Sequence, residues 1–546
     1  MSEKTGNAES DVETFLEVEV KLAVDETTGI PDLTQLPGVD EILSTEEHNL
    51  TAIYYDTDDL RLTRAKITLR RRTGGDDDGW HLKLPAGSAR TEMRAELGNP
   101  SEIPAELTDN VRAIVRNAQL SPIAQVDNRR VVISLGSPTG EKVAEFCDDH
   151  VTAWSLLPGG ERSSWREWEV ELGAFTAGTE AGAELIHQAT SFLISSGARK
   201  SSSPSKLFTA LGDSLHSAPL PPHMTETGLD PQSPEGAVVE ALRGHRDSIV
   251  SWDPRVRADE WDSVHQMRVS TREMRSLLET FEGILEGEQL GHLEAELKDT
   301  AATLGVARDA EVVEERFIEL LDSDESGLID DAAAEHIRDD MRADYEAAHE
   351  EIVGMLNSER FLTLLDDIDA LLANPPVSSE IAAEIEGDKG KDSGRNDKST
   401  KGASKAILYD HLAKGFKKVT KRDAKVQKYY HDTDLPLHDR EEYVHDVRKA
   451  AKKLRYAAVA AQGAGVKSER LAKACKALQS LLGDFQDAVT SRDRIQRLAE
   501  EARGRGEDTF AYGMLYQREL ARGEEALEGY EAAIREVKKA FSKIKV

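Results

Sequence analysis

Residues 16–22 read Leu-Glu-Val-Glu-Val-Lys-Leu. Leu16, Val18, Val20 and Leu22 alternate with Glu17, Glu19 and Lys21, the period of two that predicts a strand with one buried face. Outward from this stretch, similar alternation predicts strands near 68–72, 80–84, 91–97, 129–134, 142–151 and 166–172, with amphipathic helices near 103–118 and 181–195. Charged residues share a face on each strand: Arg70 with Arg72, His81 with Lys83, and Arg90, Glu92, Arg94 and Glu96 as a mixed row. Glu167, Glu169 and Glu171 form an acidic row. On one strand, polar outside and apolar inside accounts for such a row. Over six or seven strands, rows of both signs point to a barrel with a charged inner wall. Arg and Lys would hold phosphates there, and carboxylates a divalent cation.

Beyond residue 212 the pattern changes. Residues 213–234 carry Pro219, Pro221, Pro222, Pro231 and Pro234 without periodicity, which reads as a linker. From Glu235 onward apolar residues recur at three- and four-residue spacing, as in helices. Residues 386–404 contain no large apolar side chain and are expected to form a disordered break between halves of about 235–380 and 405–542.

Those halves share a repeat. His265, Arg268, Arg272 and Arg275 match His445, Arg448, Lys452 and Arg455 as H-x-x-R-x-x-x-[RK]-x-x-R. Downstream, Leu304-Gly305 with Asp309-Ala310 matches Leu482-Gly483 with Asp487-Ala488. Two motifs in one order imply a duplicated helical unit. At about 100° per residue each first motif falls within an arc of roughly 80°, so one His and three cations leave one helix face. Alone, such a run fits a solvated basic face; two symmetry-related copies favour a shared anion. Lys414, Lys417, Lys418 and Lys421 add a third basic face. The chain is only 5% aromatic, which disfavours stacking on bases and favours a polyanion of bare phosphates.

The chain has 546 residues and a net charge of −33, so it exceeds a single core and as a whole repels nucleic acid and anionic lipid. Cys147 and Cys475 are too few for a disulfide framework or a multi-cysteine zinc site. Met1 to Glu13 is polar, and no apolar run approaches the roughly 20 residues of a membrane span. The expected location is the cytoplasm, with polyphosphate granules as an association.

The helical motifs resemble the CHAD family, the conserved histidine α-helical domains, over about 235–542. The resemblance implies two pseudo-symmetric four-helix bundles that bind inorganic polyphosphate. It assigns that role to His265, Arg268, Arg272 and Arg275, to His445, Arg448, Lys452 and Arg455, and more weakly to Lys449 and Lys453. Glu273 stands where the family often has a base, which implies weaker affinity in the first half.

Residues 11–212 resemble the CYTH family, the triphosphate tunnel metalloenzymes. The resemblance rests on E-x-E-x-K at Glu17, Glu19 and Lys21 and on L-R-x-R at 69–72. Its companions are L-K at 82–83, D-x-V at 149–151, E-x-E-x-E at 167–171 and S-K-L at 205–207. It implies an eight-stranded antiparallel barrel enclosing a tunnel, so the chain is expected to be an α+β multidomain protein. Lys21, Arg70, Arg72, Lys83, Arg94, Arg129 and Lys206 are expected to bind triphosphate. Glu17, Glu19, Asp149, Glu169 and Glu171 are expected to hold Mg²⁺ or Mn²⁺, with Glu17, Glu19 and Lys21 catalytic and Glu145 a further acid. Arg130, Asp148 and Lys200 are the alternative alignments for Arg129, Asp149 and Lys206. No P-loop, H-E-x-x-H or G-x-S-x-G motif is present.

The expected function is metal-dependent hydrolysis of inorganic triphosphate or short polyphosphate in the strand domain, with inorganic polyphosphate binding by the helical domain and without specific nucleic acid or membrane partners. The alternatives are a non-catalytic polyphosphate-binding or granule-associated protein, and a nucleoside or thiamine triphosphatase or adenylyl cyclase.

Overall fold

The alternation at 16–22 folds as two strands. In a computed structural model, β1 (Val12–Glu17) and β2 (Glu19–Val24) are separated by Val18 alone. Then follow β3 (Glu41–Asp56), β4 (Thr68–Thr73), β5 (Gly79–Ala86), β6 (Ala89–Ala95), β7 (Ser121–Gly136), β8 (Lys142–Ser155), β9 (Arg162–Leu172) and β10 (Arg199–Lys200). The described residues are 12–86, 89–99, 102–322, 331–378, 396–463 and 465–544. They divide into two compact units, 1–221 and 222–546.

The sheet order is β1-β6-β5-β4-β3-β7-β8-β9-β2-β10, antiparallel throughout. This is a ten-stranded sheet whose ladder does not close, where eight strands were expected. Two of the strands arise because the 12–24 segment breaks at Val18 and because the two-residue β10 is appended. The break has a function in the fold. β1 pairs with β6 at one end of the sheet while β2 pairs with β9 near the other, so one continuous segment joins the two ends. Leu172 N donates to Val18 O across that joint at 3.0 Å.

β3 had no sequence forecast. Its first half is mostly exposed and polar, so alternation appears only in the second half, from Leu50 to Asp56. The helix expected at 103–118 is two short ones, Ala105–Asp109 and Arg112–Val115.

The apolar faces of the strands point outward. Leu22, Val24, Phe146, Trp168 and Val170 pack under helix Glu180–Ser195, whose Leu185, Ala189 and Leu193 complete a dry core. Burying each large side chain is worth about 1.5–3 kcal/mol, so the helix holds the sheet with its charged face turned the other way. On another part of the outer wall, Leu69, Trp80 and Leu82 meet Leu107 and Val111. Helix Lys206–Leu211 is capped by Ser205, whose Oγ accepts from Phe208 N at 3.1 Å. It anchors Leu207 and Leu211 in a third cluster.

In the second unit, the first half contributes helices Pro234–Arg257, Ser263–Thr280, Glu288–Asp322, Asp331–Leu356 and Glu359–Ala373. The second contributes Asn396–Tyr429, Leu437–Gly463, Glu469–Arg505, Phe510–Ala526 and Tyr530–Phe541. Each half thus has five described helices where four were expected, because the last helix of each is interrupted. Ser358 ends one and caps the next by accepting from Phe361 N at 3.2 Å. In the second half the break falls between Ala526 and Tyr530. The break expected at 386–404 is helical from Asn396, and 379–395 lie outside the described residues. The linker at 213–234 contains a helical turn, Ser214–Ser217, and the boundary between the units. Among the described residues, no helix is long and apolar enough to cross a membrane. Both cysteines are buried free thiols.

Candidate functional site

The inward face of the sheet lines a cavity of about 640 Å³. Glu17, Glu19, Lys21, Arg70, Arg72, Lys83, Arg94, Glu169, Glu171 and Lys206 all border it, together with Glu145. Arg129 does not. Its side chain is 46% exposed near Glu47, and the neighbouring Arg130 lines the cavity instead. Alternation decides this, since adjacent residues of a strand face opposite ways. Asp149 is fully buried behind Arg130, whose Nε and Nη2 each donate to it at 2.7 Å. Asp148 pairs with Arg166 on the other face. Lys200 is exposed on β10. Glu92, expected only as part of a mixed charged row, and Asn128, which had no forecast, are also in the wall; Asn128 donates to Asp149 at 2.8 Å.

The E-x-E-x-K motif spans the joint between β1 and β2. Glu17 meets Lys83 from β5, while Lys21 lies opposite Glu169 and Glu19 opposite Glu171 on β9. Lys21 Nζ is 2.8 Å from Glu19 and 3.1 Å from Glu169. Burial disfavours the charged form of Glu19, but the Lys21 and Lys83 ammonium groups together hold the carboxyl below its ordinary range.

Three carboxylates of Asp149, Glu167 and Glu169 bring oxygens within 4.8 Å of one another. Lys206 Nζ sits among them at 2.8, 2.6 and 2.8 Å. That cluster therefore already holds an internal cation. Despite burial, Lys206 stays protonated well above the usual lysine range, because Asp149, Glu169 and Glu167 surround it. Glu46, His48 and Asp76 form a second group of candidate ligands on the cavity wall, with both acids exposed.

Two groups in the cavity are only partly compensated. Burial, with Arg70 and Arg130 nearby, lowers Arg72 to about 9 even though it pairs with Asp77. The Nε atoms of Arg70, Arg72 and Arg94 have no partner among the described residues. On the acidic side, burial raises Glu171 to about 7, with Glu17 and Glu19 adding to the shift against the relief from Lys83. Glu17 Oε2 is buried without a partner. The cavity thus has an anion-seeking cluster and a cation-seeking cluster. Behind the wall, fully buried His81 has Nδ1 2.8 Å from Glu92; burial lowers that imidazole to about 3, so it is neutral.

The helical unit carries a second cluster. Arg268, Arg272, Arg448 and Lys452 come together from helices Ser263–Thr280 and Leu437–Gly463; Arg272, Arg448 and Lys452 are each lowered by burial and by cations of the other half. Burial and then Arg268 and Arg448 lower Arg272 to about 10. Lys452 falls well below the lysine range through burial, Arg272 and Arg448. The second shared motif explains itself here. A Cβ on Gly305 would meet the Arg268 guanidinium at 3.3 Å, and one on Gly483 the Arg448 Nη2 at 4.0 Å. Gly305 leaves room for Arg268, whereas Gly483 faces Arg448 across an ordinary contact, and Asp309 stands 3.7 Å from Arg268.

His265 and His445 flank the cluster, each lowered by burial and then by a nearby cation, Arg308 and Lys449 respectively. Arg275 is tied to Glu279 at 3.2 Å, and Arg455 is 3.6 Å from Glu273. Lys449 is exposed beside Glu442, and Lys453 pairs with Glu279. Lys414, Lys417, Lys418 and Lys421 are exposed, with no ion pair among the described residues.

These two sites define a protein with a charged strand-built cavity followed by a duplicated basic helical unit. A CYTH-domain profile matches residues 16–197 and a CHAD-domain profile residues 240–496. The chain belongs to the family that joins a CYTH domain to a CHAD domain. It is 37% identical over 539 residues to uncharacterized protein MT2285 of Mycobacterium tuberculosis (strain CDC 1551 / Oshkosh), covering 97% of each chain. The same figures hold for uncharacterized protein Rv2226 of Mycobacterium tuberculosis (strain ATCC 25618 / H37Rv). Among solved structures, PptA from Streptomyces chartreusis is similar at 18% identity and a TM-score of 0.41, over 57% of this chain and 99% of that one.

Proposed function

We propose that the strand unit hydrolyses inorganic triphosphate or short polyphosphate with Mg²⁺ or Mn²⁺, and that the helical unit binds longer polyphosphate. The observation that carries the first part is that one cavity holds both an arginine cluster, Arg70, Arg72 and Arg94, with unpartnered Nε atoms and Glu171, raised to about 7 by burial and by Glu17 and Glu19. A triphosphate–metal complex supplies a counter-charge to each.

Because Lys206 fills the Asp149–Glu167–Glu169 cluster, Glu17, Glu19 and Glu171 are the residues that would hold the metal. Hard carboxylate oxygens suit these ions. The metal, when bound, neutralises phosphate charge and polarises the phosphorus under attack. Arg70, Arg72 and Arg94 bind and align the phosphate oxygens, and Arg130 and Lys21 extend that cationic wall. A water oxygen bonds to the terminal phosphorus, its P–O bond to the bridging oxygen breaks, and a wall carboxylate takes the water's proton. The outward packing of the apolar strand faces supports this reading, because it turns the charged rows into the cavity. A cylindrical tunnel closed through Val18 fits the same geometry.

In the helical unit, four cations of the two repeats face one another with few acids between them, an arrangement that a phosphate polymer relieves. The proposed setting is the cytoplasm, in contact with polyphosphate granules. The test is phosphate release from triphosphate, ATP and long-chain polyphosphate with either metal. Triphosphate should be cleaved fastest, and Glu19→Gln should abolish cleavage while long-chain binding persists. Undiminished hydrolysis by Glu19→Gln rules out this mechanism.

A further inference from the structure

Arg492, on helix Glu469–Arg505, is 4% exposed and borders a cavity of about 580 Å³ in the second half of the helical unit. That volume lies within the roughly 300–1,000 Å³ of small-molecule sites. Arg492 Nη2 donates to Glu441 Oε1 at 2.5 Å, which matches its charge. Its Nε and Nη1 have no hydrogen-bond partner among the described residues, the guanidinium lying over the Tyr516 ring at 5.8 Å, and Arg440 Nε on the same wall has none either. A guanidinium offers five N–H groups in a fixed fork, so a buried one with two open nitrogens is built to receive an acceptor.

The duplication shows that the bundle does not require this pair. Counted from the shared Leu-Gly, Arg492 corresponds to Glu314; counted from the shared His, Glu441 corresponds to Trp261, which is 82% exposed. The helix bearing His445 starts at Leu437, whereas the one bearing His265 starts at Ser263. The additional turns place Leu437, Arg440 and Glu441 on the cavity wall.

The remaining wall has two characters. Phe485, Leu520 and Leu527 supply an apolar middle, with Tyr430 edge-on to Phe485 at 6.3 Å. Glu524, Glu528 and Glu531 are exposed acids bordering the same space. A simple anion meets these three carboxylates, and a simple cation leaves the Arg492 donors unused. A polyphosphate, charged along its whole length, fits neither the acids nor the apolar middle.

We propose that this cavity binds a small amphipathic amino-carboxylate. Its carboxylate accepts from Arg492 and Arg440, its apolar body lies on Phe485 and Leu520, and its ammonium faces Glu524, Glu528 and Glu531.

The experiment is calorimetric titration and thermal shift of the full chain with L-phenylalanine, 3-phenylpropionate and 2-phenylethylamine as probes. L-Phenylalanine should bind about tenfold or more tightly than either one-ended analogue, the scale of a lost charge-assisted contact. Arg492→Lys keeps the charge beside Glu441 but loses the fork, and should weaken that binding by about tenfold. Glu524→Gln combined with Glu528→Gln alters only exposed positions and should weaken it several-fold, with polyphosphate binding intact as the folding control. The proposal is overturned if no probe binds, if 3-phenylpropionate binds as tightly as L-phenylalanine, or if the double variant binds like wild type.

Discussion

The strand unit and the helical unit both concentrate Lys and Arg, but they differ in what stands beside them. In the strand cavity almost every cation has a carboxylate within reach: Lys21 with Glu19, Lys206 with three acids, Arg130 with Asp149. In the helical cluster, Arg268, Arg272, Arg448 and Lys452 mainly face one another. A site rich in both signs suits an anion bound together with a metal, whereas a site of one sign suits a polyanion alone. The predictions below separate the two.

The largest effect is expected from Glu19→Gln, which should reduce kcat for triphosphate by two orders of magnitude or more, the scale of losing an electrostatic group at the reacting centre. Binding of long polyphosphate by the same variant should be unchanged in calorimetry. If both fall together, the two sites are not separable. Next, Arg72→Ala should raise KM for triphosphate by about tenfold, while Arg129→Ala should leave KM within about twofold. Equal effects would contradict the inward placement of Arg130.

Lys452→Met should weaken polyphosphate binding by about tenfold and also raise the thermal midpoint by about 2 °C, because it removes a buried charge with too little compensation. A structural role alone would lower both. The same lysine gives a pH signature. Its folded-state pKa lies below the unfolded value, so between the two the unfolded chain binds more protons and stability rises with pH. Bound polyphosphate raises the folded pKa and should flatten that rise. Binding in this window should therefore take up protons, measured by calorimetry in buffers of different ionisation enthalpy. The smallest effect is expected at the glycines. Gly305→Ala presses on Arg268 at 3.3 Å and should weaken binding several-fold, whereas Gly483→Ala, at 4.0 Å, should be close to neutral.

Much of this was readable from the chain. Strand alternation located the charged rows, and the paired H-x-x-R and L-G-x-x-x-D-A motifs located the duplicated unit. The direction in which the rows face was not certain from one strand, since polar-out and polar-in share one period. Trp168 and Val170 decide it, because they meet helix Glu180–Ser195 and force Glu167, Glu169 and Glu171 inward. Arg129 was misplaced by one residue, and a shift of one residue turns a strand side chain to the other face. β3 escaped notice because its exposed half lacks alternation. The role of Lys206 as an internal cation depends on long-range packing of helix Lys206–Leu211, which no local pattern encodes.

The central claim is that Glu171 and Arg72 mark the cation-seeking and anion-seeking sides of one catalytic cavity. Its most direct measurement is Mn²⁺ affinity by electron paramagnetic resonance, with and without triphosphate, in wild type, Glu171→Gln and Arg72→Ala. The account predicts that Glu171→Gln weakens Mn²⁺ binding in both conditions. Arg72→Ala should leave Mn²⁺ binding alone unchanged and remove its enhancement by triphosphate. Wild-type Mn²⁺ affinity in Glu171→Gln, or full triphosphate enhancement in Arg72→Ala, would contradict it.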